Sequence, residues 1–226
     1  KAKSGAFAAL AAFDLDAATG PVRLELELAG DGAPHFWSTE VLVEAKAYPI
    51  KHLKVDEKFV TLDQAAEDRA ELESQRLQRL FAEDRSPPLF AGRFKSPIPG
   101  APSARFGERR VFNDVPKMPH SGADLSAGQG TPVRAPADGR VALVEDLFFA
   151  GKTVILDHGS GLYTLYAHLS QVDVTHGERL RVGQCLGRVG ATGRVTGPHL
   201  HWAAKLRGSR VDPFSLIALP LDRYQP

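Results

Sequence analysis

Two short motifs, far apart in the chain, carry side chains that could bind one metal ion. The first is His120-x-x-x-Asp124 and the second is His199-x-His201. Imidazole nitrogens and carboxylate oxygens are common zinc ligands, and a catalytic zinc usually takes three protein ligands and leaves one position open. His168 adds a further imidazole between the two motifs. The chain therefore has enough ligands for a metal ion and enough bases to work beside it.

The spacing within each motif predicts how these side chains are presented. Residues two positions apart in a strand point to the same face, so His199 and His201 can face one site. Gly122, between His120 and Asp124, argues against a helix there. We therefore predict a loop that runs into a strand. The spacing leaves open which histidine of the second motif binds the metal.

Each motif alone is weak evidence, but together they predict a metallohydrolase. A zinc ion held by two histidines and one aspartate keeps a net positive charge, which lowers the pKa of a bound water towards neutrality. A nearby histidine could then accept the proton of that water, and another could stabilise the developing oxyanion. The number of histidines matches this chemistry.

Residues 1–62 are predicted to form a small N-terminal β domain with an accessory or regulatory role. Apolar and polar residues alternate over Val22–Leu28 and over Glu40–Tyr48, as they do in half-buried strands. Gly30–Pro34 is a turn signal between them, and Phe59–Leu62 is a candidate for a further short strand.

Residues 63–103 are predicted to comprise one helix and a connector. Asp63 is a candidate N-cap, and apolar residues recur at helical spacing from Gln64 to Asp84. The proline- and glycine-rich stretch Ser96–Pro102 then indicates a domain boundary, or a loop that wraps the next domain.

Residues 104–226 are predicted to be mostly β. Strand patterns cover Arg140–Glu145, Lys152–Asp157 and Leu162–His168, and Asp138-Gly139 is interpreted as a hairpin turn before the first of them. Short strands with glycine-marked turns at this spacing predict a sheet sandwich or a barrel.

The composition excludes several classes of partner. The chain has 226 residues and a formal net charge of +1, which gives no electrostatic case for nucleic acid or an anionic membrane. No apolar run approaches the roughly 20 residues that span a bilayer. The single cysteine, Cys185, is expected to be a buried structural thiol. The start at Lys1 suggests a trimmed or mature form, and we expect a monomer.

Several further motifs stand in a fixed order along the chain: Arg105–Arg110, His120-x-x-x-Asp124, Pro132–Gly139, Tyr166–Leu169, Gly190–Gly193 and Gly197–His201. Over about residues 90–216 this set resembles the lysostaphin-type, or LytM-domain, zinc endopeptidases. The resemblance implies a mostly β fold, with an antiparallel β-sheet catalytic domain of that type preceded by the small β domain and the helix.

The same resemblance implies a role for each residue of the constellation. His120, Asp124 and His201 would bind one Zn²⁺ ion. His168 and His199 would be the catalytic histidines, which align and deprotonate the water and stabilise the intermediate. Because all five positions are retained, the chain is predicted to be catalytically competent.

The resemblance also implies a substrate, since members of this family cleave peptide bonds in bacterial peptidoglycan. We expect a D,D-endopeptidase type of crosslink hydrolase that recognises peptidoglycan stem peptides in the periplasm or outside the cell. Two alternatives stay open. The chain could be a non-catalytic activator of another cell-wall hydrolase, or a secreted endopeptidase that cuts glycine-rich peptides.

Three residues near the constellation are candidates for contact with the substrate. Arg110 and Asn113 precede the first motif, and a salt bridge or a turn is an equally good interpretation of them. Tyr166 is two residues before His168 and is expected to share its face, where it would reach the substrate or simply pack.

Overall fold

A computed structural model describes residues 9–28, 34–57, 61–82 and 87–221. Its N-terminal part contains the antiparallel hairpin of β1 (Gly20–Leu28) and β2 (His35–Val43). The prediction of a strand over 22–28 is confirmed. The strand predicted over 40–48 begins earlier and ends at Val43. The predicted turn at 30–34 and the strand at 59–62 lie largely outside the described residues.

A small second sheet connects this part to the rest of the chain. Strand β3 (Ile50–Leu53) pairs in parallel with a later strand, Arg109–Phe112, which in turn pairs with Val115–Pro116. The sequence did not predict the first of these strands, because Pro49 limits the extension of the alternating run that precedes it. Residues before the helix therefore lie beside the segment that leads to His120.

Helix α1 (Gln64–Phe81) has the predicted N-cap, since the Asp63 carboxylate accepts a hydrogen bond from the backbone N–H of Ala66. Leu77, Leu80 and Phe81 pack against Leu143, Ile155, Tyr163 and Leu165 of the main sheet. The predicted apolar face of the helix is therefore the face that packs. Among the described helices, none combines the length and apolar character needed to cross a membrane.

The main sheet is antiparallel throughout, which confirms the predicted fold class. In chain order the elements from β4 are β4 (Pro102–Ala104), β5 (Arg109–Phe112), β6 (Val115–Pro116), β7 (Gly122–Ser126), β8 (Pro132–Arg134), β9 (Gly139–Leu147), β10 (Gly151–Asp157), β11 (Leu162–Val172), β12 (Arg179–Leu180), β13 (Cys185–Val189), β14 (His199–Leu206), β15 (Ser209–Val211) and helix α2 (Pro213–Ala218). The continuous path of the main sheet runs in the order β12-β9-β10-β11-β14-β7-β4, with β13 paired to β11 and β8, and β15 paired to β14.

The predicted hairpin at Asp138-Gly139 is wrong. Strand β8 pairs with β13, and β9 pairs with β10 and β12, so the two strands that flank this dipeptide do not form a hairpin. Gly139 instead permits a close approach, since a Cβ there would lie 2.8 Å from the carbonyl oxygen of Asp157. Cys185 is partly exposed rather than buried.

The core of the main sheet extends beyond the predicted catalytic domain. Phe94 and Ile98, from the predicted connector, are buried in its two largest apolar clusters, and Leu10 packs against one of them. The Asp14 carboxylate also forms an ion pair with Arg210 of β15. The division into domains stays a prediction, but the N-terminal segments contribute packing to the sheet that carries the site.

Candidate metal centre and active site

The pairing of β7 with β14 brings the two histidine motifs together. In the register of this pair Asp124 is directly opposite His201, and Ser126 is opposite His199. Along β14 the apolar residues Leu200 and Trp202 are completely buried in the core. His199 and His201, which alternate with these two residues, therefore face the opposite side of the sheet, as the spacing predicts.

Three potential ligand atoms converge at this place. His120 Nε2 lies 2.9 Å from His201 Nδ1 and 3.0 Å from Asp124 Oδ1, and His201 Nδ1 lies 2.9 Å from Asp124 Oδ1. In a tetrahedral zinc site the ligand atoms are separated by about 3.3 Å, given bond lengths near 2.0 Å. Two imidazole nitrogens and one carboxylate oxygen at these separations fit zinc, because a small outward movement of the three atoms would give the tetrahedral spacing.

Contacts behind the ligands fix their orientation. The Nδ1–H of His120 can donate to the carbonyl oxygen of Arg105 at 3.1 Å, which leaves Nε2 with its lone pair towards the centre. Arg110 donates to Asp124 Oδ2 at 2.5 Å, so Oδ1 is the oxygen presented to the histidines. Burial alone would raise the pKa of Asp124, but the close ring nitrogens of His120 and His201 hold it far below its usual range.

His168 reaches the same place because β11 contains a bulge. The register with β10 shifts between the pairs Val154–Tyr166 and Lys152–Leu169, and His168 has a positive φ of 63°. Its ring centroid is 4.8 Å from that of His199. The structure thus places both predicted catalytic histidines beside the predicted ligands, while their roles stay predictions.

The bulge also moves Tyr166 away from the site. Tyr166 is completely buried in the core, where its hydroxyl is 2.7 Å from Thr164 Oγ1. The expectation that it shares a face with His168 is wrong, because the extra residue in β11 breaks the alternation of strand faces. Packing, the second interpretation of this residue, is the one the structure shows.

Backbone carbonyls set the tautomers of the two predicted catalytic histidines. His168 Nδ1 lies 2.9 Å from the carbonyl oxygen of Thr192, and His199 Nδ1 lies 2.8 Å from that of Gly197. Each Nδ1 must therefore carry the proton, which leaves Nε2 of each ring free to accept one. Burial, together with the neighbouring His201 and His199, lowers the pKa of His168 to about 3, so this ring is neutral near pH 7.

The other two substrate candidates have partners within the protein. Arg110 forms ion pairs with Asp124 and, at 3.5 Å, with Glu108. Asn113 lies in the turn between β5 and β6, and its amide group bonds to Val55 and Glu57. The structure therefore brings Arg110 to the centre as a partner of a ligand, and it does not bring Asn113 there.

Sequence reasoning missed the carbonyl groups of Arg105, Thr192 and Gly197. Backbone acceptors have no signature in residue type, since every residue has one. The available signal was the three motifs 105–110, 190–193 and 197–201, each of which contains one of these residues.

A cavity of about 220 Å³ adjoins the centre on the same face of the sheet. Ser121 and His201 line it at the end near the centre, and Tyr163, Lys205 and α1 line it at the other. Within α1 the wall consists of Ser74, Leu77, Gln78 and Phe81. The helix therefore forms one wall of the groove that leads away from the histidines.

Comparison with known proteins agrees with this geometry. The sequence profile of peptidase family M23 matches residues 118–213. Over 101 residues the chain is 48% identical to the DD-carboxypeptidase/endopeptidase Mpg of Neisseria meningitidis serogroup B, and the match covers 45% of this chain and 23% of that protein. Over 111 residues it is 40% identical to the peptidoglycan DD-endopeptidase ShyA of Vibrio cholerae serotype O1, with coverage of 49% and 26%.

The chain thus spans only about a quarter of the length of these two curated relatives. A solved structure, described as a peptidase M23 from Pseudomonas aeruginosa, matches much more completely. It superimposes with a TM-score of 0.71 at 34% identity, and the match covers 92% of this chain and 77% of that one. The likeness therefore includes the N-terminal elements as well as the sheet that carries the histidines, and the chain belongs to peptidase family M23.

Proposed function

We propose that this protein is a zinc-dependent endopeptidase that hydrolyses peptide crosslinks of bacterial peptidoglycan, of the D,D-endopeptidase type. The observation that carries the proposal is the convergence of His120 Nε2, Asp124 Oδ1 and His201 Nδ1 within 3.0 Å of one another. The Neisseria DD-carboxypeptidase/endopeptidase and the Vibrio peptidoglycan DD-endopeptidase, to which the chain is similar, support the substrate class. A substrate of this kind is consistent with a periplasmic or secreted protein.

His120, Asp124 and His201 would hold one zinc ion. When bound, the ion would polarise a water molecule and the scissile carbonyl group. His168 presents an unprotonated Nε2 to the same space, so it can accept a proton from the attacking water. His199 Nε2, 3.7 Å from Asp124 Oδ1, is the second nitrogen able to hold a proton beside the developing negative charge.

The proposal is tested by the release of peptides from purified sacculi, identified by mass, together with the metal content of the protein. We expect one zinc per chain and cleavage that a chelator abolishes and added zinc restores. His120→Ala and Asp124→Ala should lose both the metal and the activity. His168→Ala should keep the metal and lose activity by at least about a hundredfold, as expected for a general base.

His176→Ala is the matched control, because His176 is exposed and lies in a turn away from the groove. It should keep full activity. Unchanged cleavage by the Asp124→Ala protein would refute the proposal. A parallel digestion decides between the two substrate classes. It compares sacculi that have direct crosslinks with sacculi that have pentaglycine bridges.

A further inference from the structure

Arg194 occupies an unusual position beside the proposed active site. Its guanidinium lies over two aromatic rings, 4.3 Å from the centroid of Phe149 and 4.8 Å from that of Phe112. The first ring follows β9 and the second ends β5, so the two rings come from different parts of the fold. Contacts of this kind restrict the rotamers of a long side chain and hold its planar group in one place.

The charge of this guanidinium is not neutralised within the part of the chain that the structure describes. Its contacts there are the two rings, and no carboxylate forms an ion pair with it. The charge of Arg110, which has the same sign and is already paired with Asp124 and Glu108, acts on it from nearby. Burial and this neighbour lower the pKa of Arg194 to about 10.

A partly buried cation with no counter-ion and a like-charged neighbour is costly unless a ligand compensates it. The side chain remains partly accessible, so an anion can reach it. A guanidinium offers two parallel N–H donors that match the two oxygens of a carboxylate. The chemistry of the position therefore fits a carboxylate better than a neutral group.

The loop of residues 190–198 links this cation to the proposed catalytic residues. The backbone N–H of Arg194 donates to the carbonyl oxygen of Phe149 at 2.8 Å. Two residues earlier, Thr192 accepts the Nδ1–H of His168 through its carbonyl oxygen and donates its hydroxyl to Leu169. His168 and Arg194 are thus held by the same short, well-anchored segment.

We propose that Arg194 binds a free carboxylate of the peptide substrate and so positions the scissile bond relative to His168. The inference rests on the proposed endopeptidase function and adds a charged recognition element to it. Stem peptides carry free carboxylates close to their crosslinks, and Arg194 selects substrates in which such a group is ionised. A purely structural role, stapling β5 to the turn after β9, would give no such selection.

The test compares two soluble crosslinked peptide dimers that differ only in having free carboxylates or carboxamides. For the unaltered, zinc-loaded protein we expect a KM about tenfold to a hundredfold lower for the carboxylate form, the range for a hydrogen bond to a charged group. In Arg194→Gln this discrimination should disappear, through a rise in KM with kcat largely kept. Arg194→Lys should retain part of it.

Arg181→Gln is the matched control, since Arg181 is an exposed arginine next to β12, at the far end of the sheet. Unfolding temperatures of all variants are measured beside the kinetics. Equal KM values for the two dimers with the unaltered protein overturn the inference while leaving the endopeptidase function intact. Failure to cleave either dimer or sacculi would instead refute the proposed function.

Discussion

The proposed ligand Asp124 shows how neighbours decide the behaviour of a single carboxylate. Its Oδ1 faces two histidines and its Oδ2 accepts a hydrogen bond from Arg110. These contacts outweigh the cost of burial, so the group stays ionised. An ionised and oriented carboxylate is what a metal ligand requires.

Arg110→Ala should therefore weaken metal binding rather than remove it. Loss of the bond to Oδ2 frees Asp124 to rotate, and loss of such an outer partner typically costs about tenfold to a hundredfold in metal affinity. Competition with a chromophoric chelator measures the zinc affinity. Arg109→Ala, an exposed neighbour on the same strand, is the control. Equal affinity in the two variants would contradict the prediction.

His158 is a buried histidine outside the site, in a chain of polar groups. Its Nδ1–H donates to the carbonyl oxygen of Asp138, and its Nε2 accepts from Thr164, each at 2.7 Å. Burial lowers the pKa of His158 to about 4, below its value in the unfolded chain. As the pH falls below about 6.5, the unfolded state binds the proton first, so stability decreases towards pH 4.

The free energy of unfolding is expected to fall by about 3 kcal/mol between pH 6.5 and 4 because of His158. Urea unfolding of metal-free protein at several pH values measures it. The glutamine of His158→Gln cannot titrate. This variant should be less stable at pH 7, but its free energy of unfolding should fall less steeply between pH 6.5 and 4. Parallel curves for the two proteins would show that this histidine does not contribute to the acid sensitivity.

At the scale of elements, the loop 190–198 needs a glycine at position 193. Gly193 has a φ of 73°, and a Cβ there would lie 2.5 Å from Gly151 N and from the carbonyl oxygen of Phe149. Gly193→Ala should therefore displace the loop and the Thr192 carbonyl that orients His168. We expect kcat to fall about tenfold or more. Gly197→Ala is the control, because it has open space around it.

Phe81 is the buried residue of helix α1 at its contact with the sheet. Its ring packs edge-on against Tyr163, with centroids 5.5 Å apart, and it is 5% exposed. Phe81→Ala should cost about 3 kcal/mol of unfolding free energy. Leu72→Ala, on the exposed side of the same helix, should be close to neutral. Chemical denaturation distinguishes the two, and equal losses would contradict this account of the docking.

The elements also show which features sequence patterns can predict. Strict alternation located β1, a strand pattern located β10, and helical spacing with an N-cap located α1. The bulge in β11 was not predictable, because its sequence reads as a regular strand. Only the pairing with β10 reveals the extra residue. The wrong prediction that Tyr166 shares a face with His168 followed directly from missing it.

At the scale of the whole molecule, the side chains of the predicted constellation lie together because strands that are distant in sequence pair. His120 and His201 are 81 positions apart, and they meet because β7 and β14 are neighbours in the sheet. The family resemblance supplied this proximity, whereas periodicity could not. The hairpin predicted at Asp138-Gly139 failed for the same reason, since local turn chemistry does not determine which strands pair.

The N-terminal part connects to the sheet at several separate places. Leu10 packs in its core, Asp14 pairs with Arg210, and Phe81 docks α1 on the groove face. A chain that starts near Ser86 should therefore unfold at a lower temperature than the full chain. Asp14→Asn, which removes only the ion pair, should lower the unfolding temperature much less.

The same truncation tests whether the helix limits access to the groove. Helix α1 lines the cavity that leads away from His201, so its removal opens that end of the groove. We expect cleavage of sacculi per folded molecule to be at least as fast as in the full chain, because the five-residue constellation lies wholly within the part that remains. Circular dichroism and metal content establish the folded fraction. Loss of activity in a folded, zinc-loaded truncated chain would show instead that the N-terminal part contributes to substrate binding.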